Sequence, residues 1–215
     1  MISLKEIYLY INGISIFENL NFDVLKSQKI AITGQSGIGK STLLSLMMGL
    51  IQPGSGIVEV NNQKMTVTTI NKIRSLIAWL PQNVNILGKG KVEMLFTEIF
   101  NYKINRRVKP TNKNIIDLLY QLNLNNDILT NNFESLSGGE KQRIGIIICL
   151  LLKRPILILD EPTSALDELT KQKVADLIFN KNDLTVVTCS HDADWLKRCD
   201  LVYKIENKKI IRTEV

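Results

Sequence analysis

Histidine is nearly absent from this chain: His191 is the one such residue in 215. Cysteine is scarce too, with Cys149, Cys189 and Cys199 forming an odd set without metal-ligand spacing. Two of the three lie in apolar runs, which fits buried free thiols in a reducing compartment better than a disulfide framework. Charge of one sign is not concentrated. The net +6 comes from scattered lysines, with small groups at Arg106-Arg107-Lys109 and Lys208-Lys209. A nucleic-acid footprint calls for a clustered basic stripe with aromatics between the charges, so no nucleic-acid partner is expected. Long apolar runs are missing as well. The longest, Ile144 to Leu152, is far short of the roughly 20 residues that span a bilayer. The N-terminal MISLKEIYLY carries an acid inside its apolar stretch and no small-residue cleavage site, so it does not read as a signal peptide. Any membrane role would then run through a partner.

What is present describes a folded chain, 45% hydrophobic and 22% charged, long enough for one core with a smaller lobe attached. β-like runs at Ile7 to Ile11, Leu20 to Leu25 and Lys29 to Thr33 precede a glycine loop, after which Lys40 to Leu50 has helical character. A turn at Pro53 to Gly56, the run IVEV and Asn61-Asn62 give a hairpin signal, and Ser75 to Leu80 reads as a further strand. From Lys91 to about Asn132 the spacing turns helical, with Gly138 to Leu152 as the last helix of an inserted lobe. Ile156 to Leu159, Thr185 to Cys189 and Leu201 to Ile205 return to buried-strand character. Strands alternating with helices imply a largely parallel sheet covered on both faces.

Gly34-Gln35-Ser36-Gly37-Ile38-Gly39-Lys40-Ser41 satisfies the P-loop pattern in full, with Thr42 after it, between a predicted strand and a predicted helix. The glycines let backbone N–H groups close around phosphate oxygens, and the helix N-terminus adds partial positive charge. Lys40 is placed to reach the β- and γ-phosphates and the Ser41 hydroxyl to hold Mg2+. The run ILILDEP then delivers Asp160 to the C-terminal end of a strand, where open α/β sheets place their ligands. Asp160 is expected to orient the magnesium shell through water, and Glu161 to polarise the attacking water. Ser137-Gly138-Gly139, small residues opening a helix, look like a second seat for an anion.

GQSGIGKST, LPQ, LSGGE, LILDEP, SALD and SHD occur here in an order and spacing that resembles the ATP-binding cassette (ABC) ATPases, from near the N-terminus to the end of the chain. The resemblance implies a P-loop NTPase core of α/β type with a mostly parallel sheet, an N-terminal antiparallel β subdomain and an inserted α-helical subdomain. One ABC ATPase domain would cover 1–215, its core at 1–90 and 153–215 and its helical part at about 91–152. It also implies a Q-loop role for Gln82, near magnesium and the attacking water, and a γ-phosphate contact for the switch histidine, His191. Asp167 matches the D-loop aspartate, with a helix N-cap as its plainer role. The aromatic that usually stacks on adenine falls at Ile11 in this register. Tyr10 is the candidate nearest that place, with Phe17 close by, and core packing is the alternative for both.

In this family the signature, here Ser137, Gly138, Gly139 and Glu140, completes the nucleotide site of another subunit in a head-to-tail dimer around two ATP. The expectation is therefore an ATP-hydrolysing subunit, cytoplasmic and peripheral on the inner face of the cell membrane. It would pair as a homodimer, or as a heterodimer with a related cassette, and drive an integral membrane permease. Val84, Ile86 and Leu87 are candidates for the permease groove, with core packing as the alternative. The other class is a non-transport ABC ATPase acting on nucleic acid or the ribosome. Against it, only residues 83–135 separate the Q-loop from the signature, without sustained heptads, and the chain holds one cassette.

Overall fold

The computed structural model describes residues 1–213. Strands β1 (Ile2–Ile11) and β2 (Ile14–Val24) pair antiparallel across Asn12-Gly13. Both turn residues are left-handed, at φ 50° and 78°, as a tight two-residue hairpin requires. After the buried β3 (Lys29–Thr33) and helix α1 (Lys40–Met47), β4 (Ser55–Val60) returns alongside β1. It turns at Asn61-Asn62 into β5 (Gln63–Lys64). These form a four-stranded antiparallel sheet in the order β2-β1-β4-β5.

Helix α2 (Ile70–Arg74) precedes β6 (Ile77–Leu80) and shortens the strand expected from Ser75. One turn is too short to show a helical period. It is held by buried Ile73 and by Arg74, whose guanidinium donates to the carbonyls of Met48 and Gly49 beyond the end of α1.

Helices α3 (Val92–Asn101), α4 (Asn112–Gln121) and α5 (Gly138–Leu151) follow. Val92, Leu95, Phe96 and Phe100 form the buried stripe of α3 at helical spacing. The chain then alternates through β7 (Ile156–Asp160), α6 (Glu168–Phe179), β8 (Thr185–Cys189) and α7 (Ala193–Lys197). It closes with β9 (Leu201–Glu206) and β10 (Lys209–Thr213). The core segment expected to reach residue 215 ends in Glu214 and Val215, which lie outside the described residues.

The second sheet runs β10-β9-β3-β8-β7-β6, parallel except for the β9–β10 hairpin. Strand β7 is buried along its whole length, and its alternation divides two cores. Ile156 and Ile158 pack with residues of β1, β2 and α1. Leu157 joins Leu95, Phe96, Phe133 and Ile147 of the helical segment. The fold is thus α/β, with an antiparallel β layer, α1 and α2 on one side of a mostly parallel sheet and the remaining helices on the other. At about 1.5–3 kcal/mol per fully buried Leu, Ile or Phe side chain, this burial outweighs exposed ion pairs such as Lys5–Glu59.

Candidate active site

Four parallel neighbours, β3, β8, β7 and β6, end on the same edge of the sheet. Their C-terminal ends lead into the loop at Gly34, the Ser190-His191 segment, Asp160-Glu161 and Pro81-Gln82. Between them lies a cleft of about 430 Å3 lined by Ser36, Gly37, Gly39, Lys40, Ser41, Thr42, Gln82, Asp160, Glu161 and His191, with Ile16 and Ser164. Sheet order alone brings these distant residues together.

The loop is built for close approach. Gly39 is the N-cap of α1 at φ 110°, and a Cβ there would meet Ile16 at 3.0 Å and Phe17 at 3.2 Å. Phe17 is therefore core, fully buried beneath the loop. Tyr10 stands opposite Ser15 in the hairpin, 58% exposed and away from the cleft lining. Packing is not its role, and Ile16 is the apolar side chain at the cleft wall. Lys40 Nζ donates to the Gly34 and Gln35 carbonyls, at 2.7 and 3.1 Å.

The two acids sit differently. Burial raises the Asp160 carboxyl above its ordinary range, opposed by a hydrogen bond from Ser41 and the charge of Lys40. Burial also raises Glu161, opposed by His191 and Lys40 and reinforced by Asp160. The Glu161 carboxylate lies 3.6 Å from His191 Nε2. Glu161 is left-handed, at φ 51°, a conformation costing about 1–3 kcal/mol in a non-glycine residue. Its N–H donates to the Cys189 carbonyl at 2.9 Å. Its carbonyl accepts from Gln142 Nε2 at 2.6 Å and from Ser164 Oγ at 3.1 Å. Sequence reading passed over Gln142 and Ser164, because nothing in local spacing links residue 142 to residue 161.

The raised Glu161 fixes the sign of a pH effect. A carboxylate acting as base must be ionised, so activity falls as pH drops through its folded-state pKa. On the expectation that Glu161 polarises the attacking water, the acid limb of kcat/KM for ATP hydrolysis, which reports groups of the free enzyme, lies above the 4.5 of an ordinary glutamate, measurable by steady-state assays between about pH 5 and 8.

Ser137 caps α5. Its Oγ accepts from Glu140 N–H at 3.3 Å, and Glu140 Oε2 accepts from both the N–H and the hydroxyl of Ser137 at 2.8 Å. This reciprocal capping box holds Glu140 below its usual range. None of Ser137, Gly138, Gly139 and Glu140 lines the cleft. Asp167 caps α6, accepting from Thr170 N–H at 3.0 Å and Thr170 Oγ1 at 2.7 Å. Asp192 caps α7 and pairs with Lys171 at 2.9 Å.

A glycine loop between a parallel strand and a helix, facing two acids on the neighbouring strand ends, defines a P-loop nucleotide hydrolase. The family model for the ABC transporter matches residues 17–164. The "Probable iron export ATP-binding protein FetA" of Escherichia coli (strain K12) is 32% identical over 96% of this chain and 91% of its own length. The "Methionine import ATP-binding protein MetN" of Bacillus subtilis (strain 168) is 33% identical over 90% of this chain and 58% of its own. Among solved structures, the ATP-binding cassette MJ0796, a dimer in a post-hydrolysis state bound to ADP and Pi, superposes with TM-score 0.85. It is 27% identical and covers 100% of this chain and 98% of that one. The chain belongs to the ABC transporter family, as an ATP-binding and ATP-hydrolysing cassette.

Proposed function

We propose that this chain binds Mg-ATP in the cleft and closes head-to-tail on a second cassette, each signature completing the other's nucleotide site. The observation that carries the reading is the separation of two anion seats: the P-loop lines the cleft and Ser137–Glu140 does not. A helix N-terminus with a hydroxyl and two glycines is suited to γ-phosphate charge, and on this reading it is offered across an interface. Gly34 to Thr42 cradle the phosphates, with Lys40 on the β- and γ-oxygens. Glu161 takes the role of polarising water, His191 contacts the γ-phosphate and Gln82 senses the site from the β6 end. Asp167 stands beside the neighbouring subunit while capping α6. Tyr10, exposed in the hairpin and outside the cleft lining, is the aromatic left open to stack on adenine.

Mg2+ fits these residues. Among the described residues no cluster of three or more His, Cys, Asp or Glu could hold a metal by itself. Magnesium bound with nucleotide takes its ligands from phosphates, water and a few hard oxygens. Ser41, Asp160 and Gln82, which line the same cleft, supply that set. When bound, the ion neutralises charge on the phosphates.

No helix among the described residues is long and apolar enough to cross a membrane. On our reading, supported by relatives named as ATP-binding proteins of transporters, the cassette works as a peripheral subunit on a permease at the cytoplasmic face. Residues 91–152 are the lobe that meets it. Val84 is buried and Leu87 packs on the core, whereas Ile86 and Met94 remain more than half exposed. Beside them a cavity of about 430 Å3 is walled by Met94, Phe96, Phe100, Ile115 and Ile116. These support a docking face. Relatives named for iron export and for methionine import align over most of this chain, so the permease sets the cargo. Affinity purification of the tagged chain from solubilised membranes is expected to bring down an integral membrane protein. Recovery with ribosomes or DNA instead would reverse the assignment.

A further inference from the structure

Gly139 and Gln142 lie three residues apart on α5, and both face the segment that follows β7. A Cβ at Gly139 would sit 2.7 Å from the Ala165 carbonyl oxygen. Gln142 is only 3% exposed, a rare burial for glutamine. Its amide is spent on the Glu161 carbonyl at 2.6 Å.

The Glu161 main chain is held by Cys189 O, by both the N–H and the Oγ of Ser164, and by Gln142 Nε2. Cys189 lies on the adjacent strand and Ser164 in the same loop. Of these partners Gln142 alone lies on a helix, the one whose N-cap is Ser137. The left-handed backbone of Glu161 is sparsely populated, and such a conformation persists only where its surroundings over-determine it.

We infer that Gln142 is a positioning residue for hydrolysis, tying the aim of the Glu161 carboxylate to the placement of the signature on α5. The inference rests on the reading of Glu161 as the residue that polarises water. A helix is stiff over one turn, so displacement of Ser137–Gly139 on meeting a nucleotide is carried to the Glu161 carbonyl through this single hydrogen bond. The carboxylate is then properly aimed only when the signature is in place. ATP binding in the cleft does not use Gln142, which is absent from its lining.

The test compares the full chain with Gln142→Leu, which keeps the volume and removes the donor, and with Gln142→Glu, which sets an acceptor against the carbonyl. Steady-state hydrolysis of Mg-ATP, ATP affinity by fluorescent-nucleotide titration and thermal melting are measured for each. A misaimed catalytic group costs on the order of 10- to 100-fold in rate. The expected result for Gln142→Leu is a fall of that size in kcat, with KM and ATP affinity within about twofold. Gln142→Glu is expected to lose as much or more. A kcat within about twofold of the unchanged chain, or a loss confined to KM, overturns the inference. Where Leu at 142 does not fold, Gln142→Met makes the same comparison, and unfolding of both shows a packing role only and overturns it too. Glu161→Gln is run in parallel. Undiminished turnover there removes the underlying reading, whereas its loss beside an unaffected Gln142→Leu removes only the coupling.

Discussion

Glu161→Gln is expected to lower ATP turnover by about 100-fold or more, the usual contribution of a general base, and to accumulate an ATP-bound dimer. The amide keeps the shape of the side chain at the strand end while removing its proton acceptor. It also removes a negative charge that faces the cleft beside Asp160 and His191. In the proposed head-to-tail arrangement, binding and closure use the P-loop and the second cassette's signature, which the substitution leaves in place, so the bridge between subunits is not cleared. Light scattering with Mg-ATP reads the dimer directly. A variant that binds ATP yet stays monomeric at micromolar concentration would overturn the sandwich arrangement.

The same substitution carries a stability signature. Burial raises the folded-state pKa of Glu161 above its unfolded value. Its contribution to stability is therefore fully present below the ordinary carboxylate range and is lost as pH rises through the raised value. At about pH 7 the ionised, half-buried carboxylate is a burden on the fold. Glu161→Gln should melt higher than the unchanged chain there, with the difference closing in acid. An equal melting temperature at neutral pH would mean that the carboxylate is better solvated than its surroundings indicate.

Ser137→Arg is expected to reduce turnover to background while leaving ATP affinity of the single chain within about twofold. Locally it breaks the capping box with Glu140, a loss of about 1 kcal/mol, which a 14-residue helix packed along most of its length absorbs. In the proposed arrangement it drives a long cation into the face that closes on another subunit's nucleotide. Ser137 does not line the cleft, so the chain's own ATP is untouched. Mixing with Lys40→Ala sharpens the result. The first variant has an intact P-loop and the second an intact signature, so a head-to-tail pair contains one complete site. Activity in the mixture, with neither variant active alone, is the expected outcome. Loss of ATP binding by monomeric Ser137→Arg would place the signature on the chain's own nucleotide instead.

Legibility from the sequence followed the range of the interactions. The P-loop is one contiguous stretch, because its phosphate donors are successive backbone N–H groups of a single turn. Ser137 with Glu140, Asp167 with Thr170 and Asp192 with Trp195 are bonds between residues three apart, so spacing spells the helix starts. Gly138 to Leu152 reads as a helix, which the structure ends at Leu151, and β3 and β8 match the expected runs Lys29 to Thr33 and Thr185 to Cys189 residue for residue. The α2 segment and the length of the first hairpin are less readable, since a single turn at Ile70–Arg74 has no period and polar residues interrupt β1 and β2.

The sequence by itself therefore determined the ATPase class, the α/β fold and the capped, glycine-rich start of α5, all of which reside in short stretches of chain. Only the tertiary structure decided which of the flanking aromatics is core, Phe17 buried and Tyr10 exposed. It alone set Gln82, His191 and Glu161 around one cleft, through the strand order β3-β8-β7-β6. It also kept Ser137 out of that cleft and joined Gln142 to a left-handed Glu161. The physical reason is reach. Hydrogen bonds between residues a few positions apart are written in spacing, whereas sheet order and the meeting of α5 with the end of β7 depend on packing two hydrophobic faces at once.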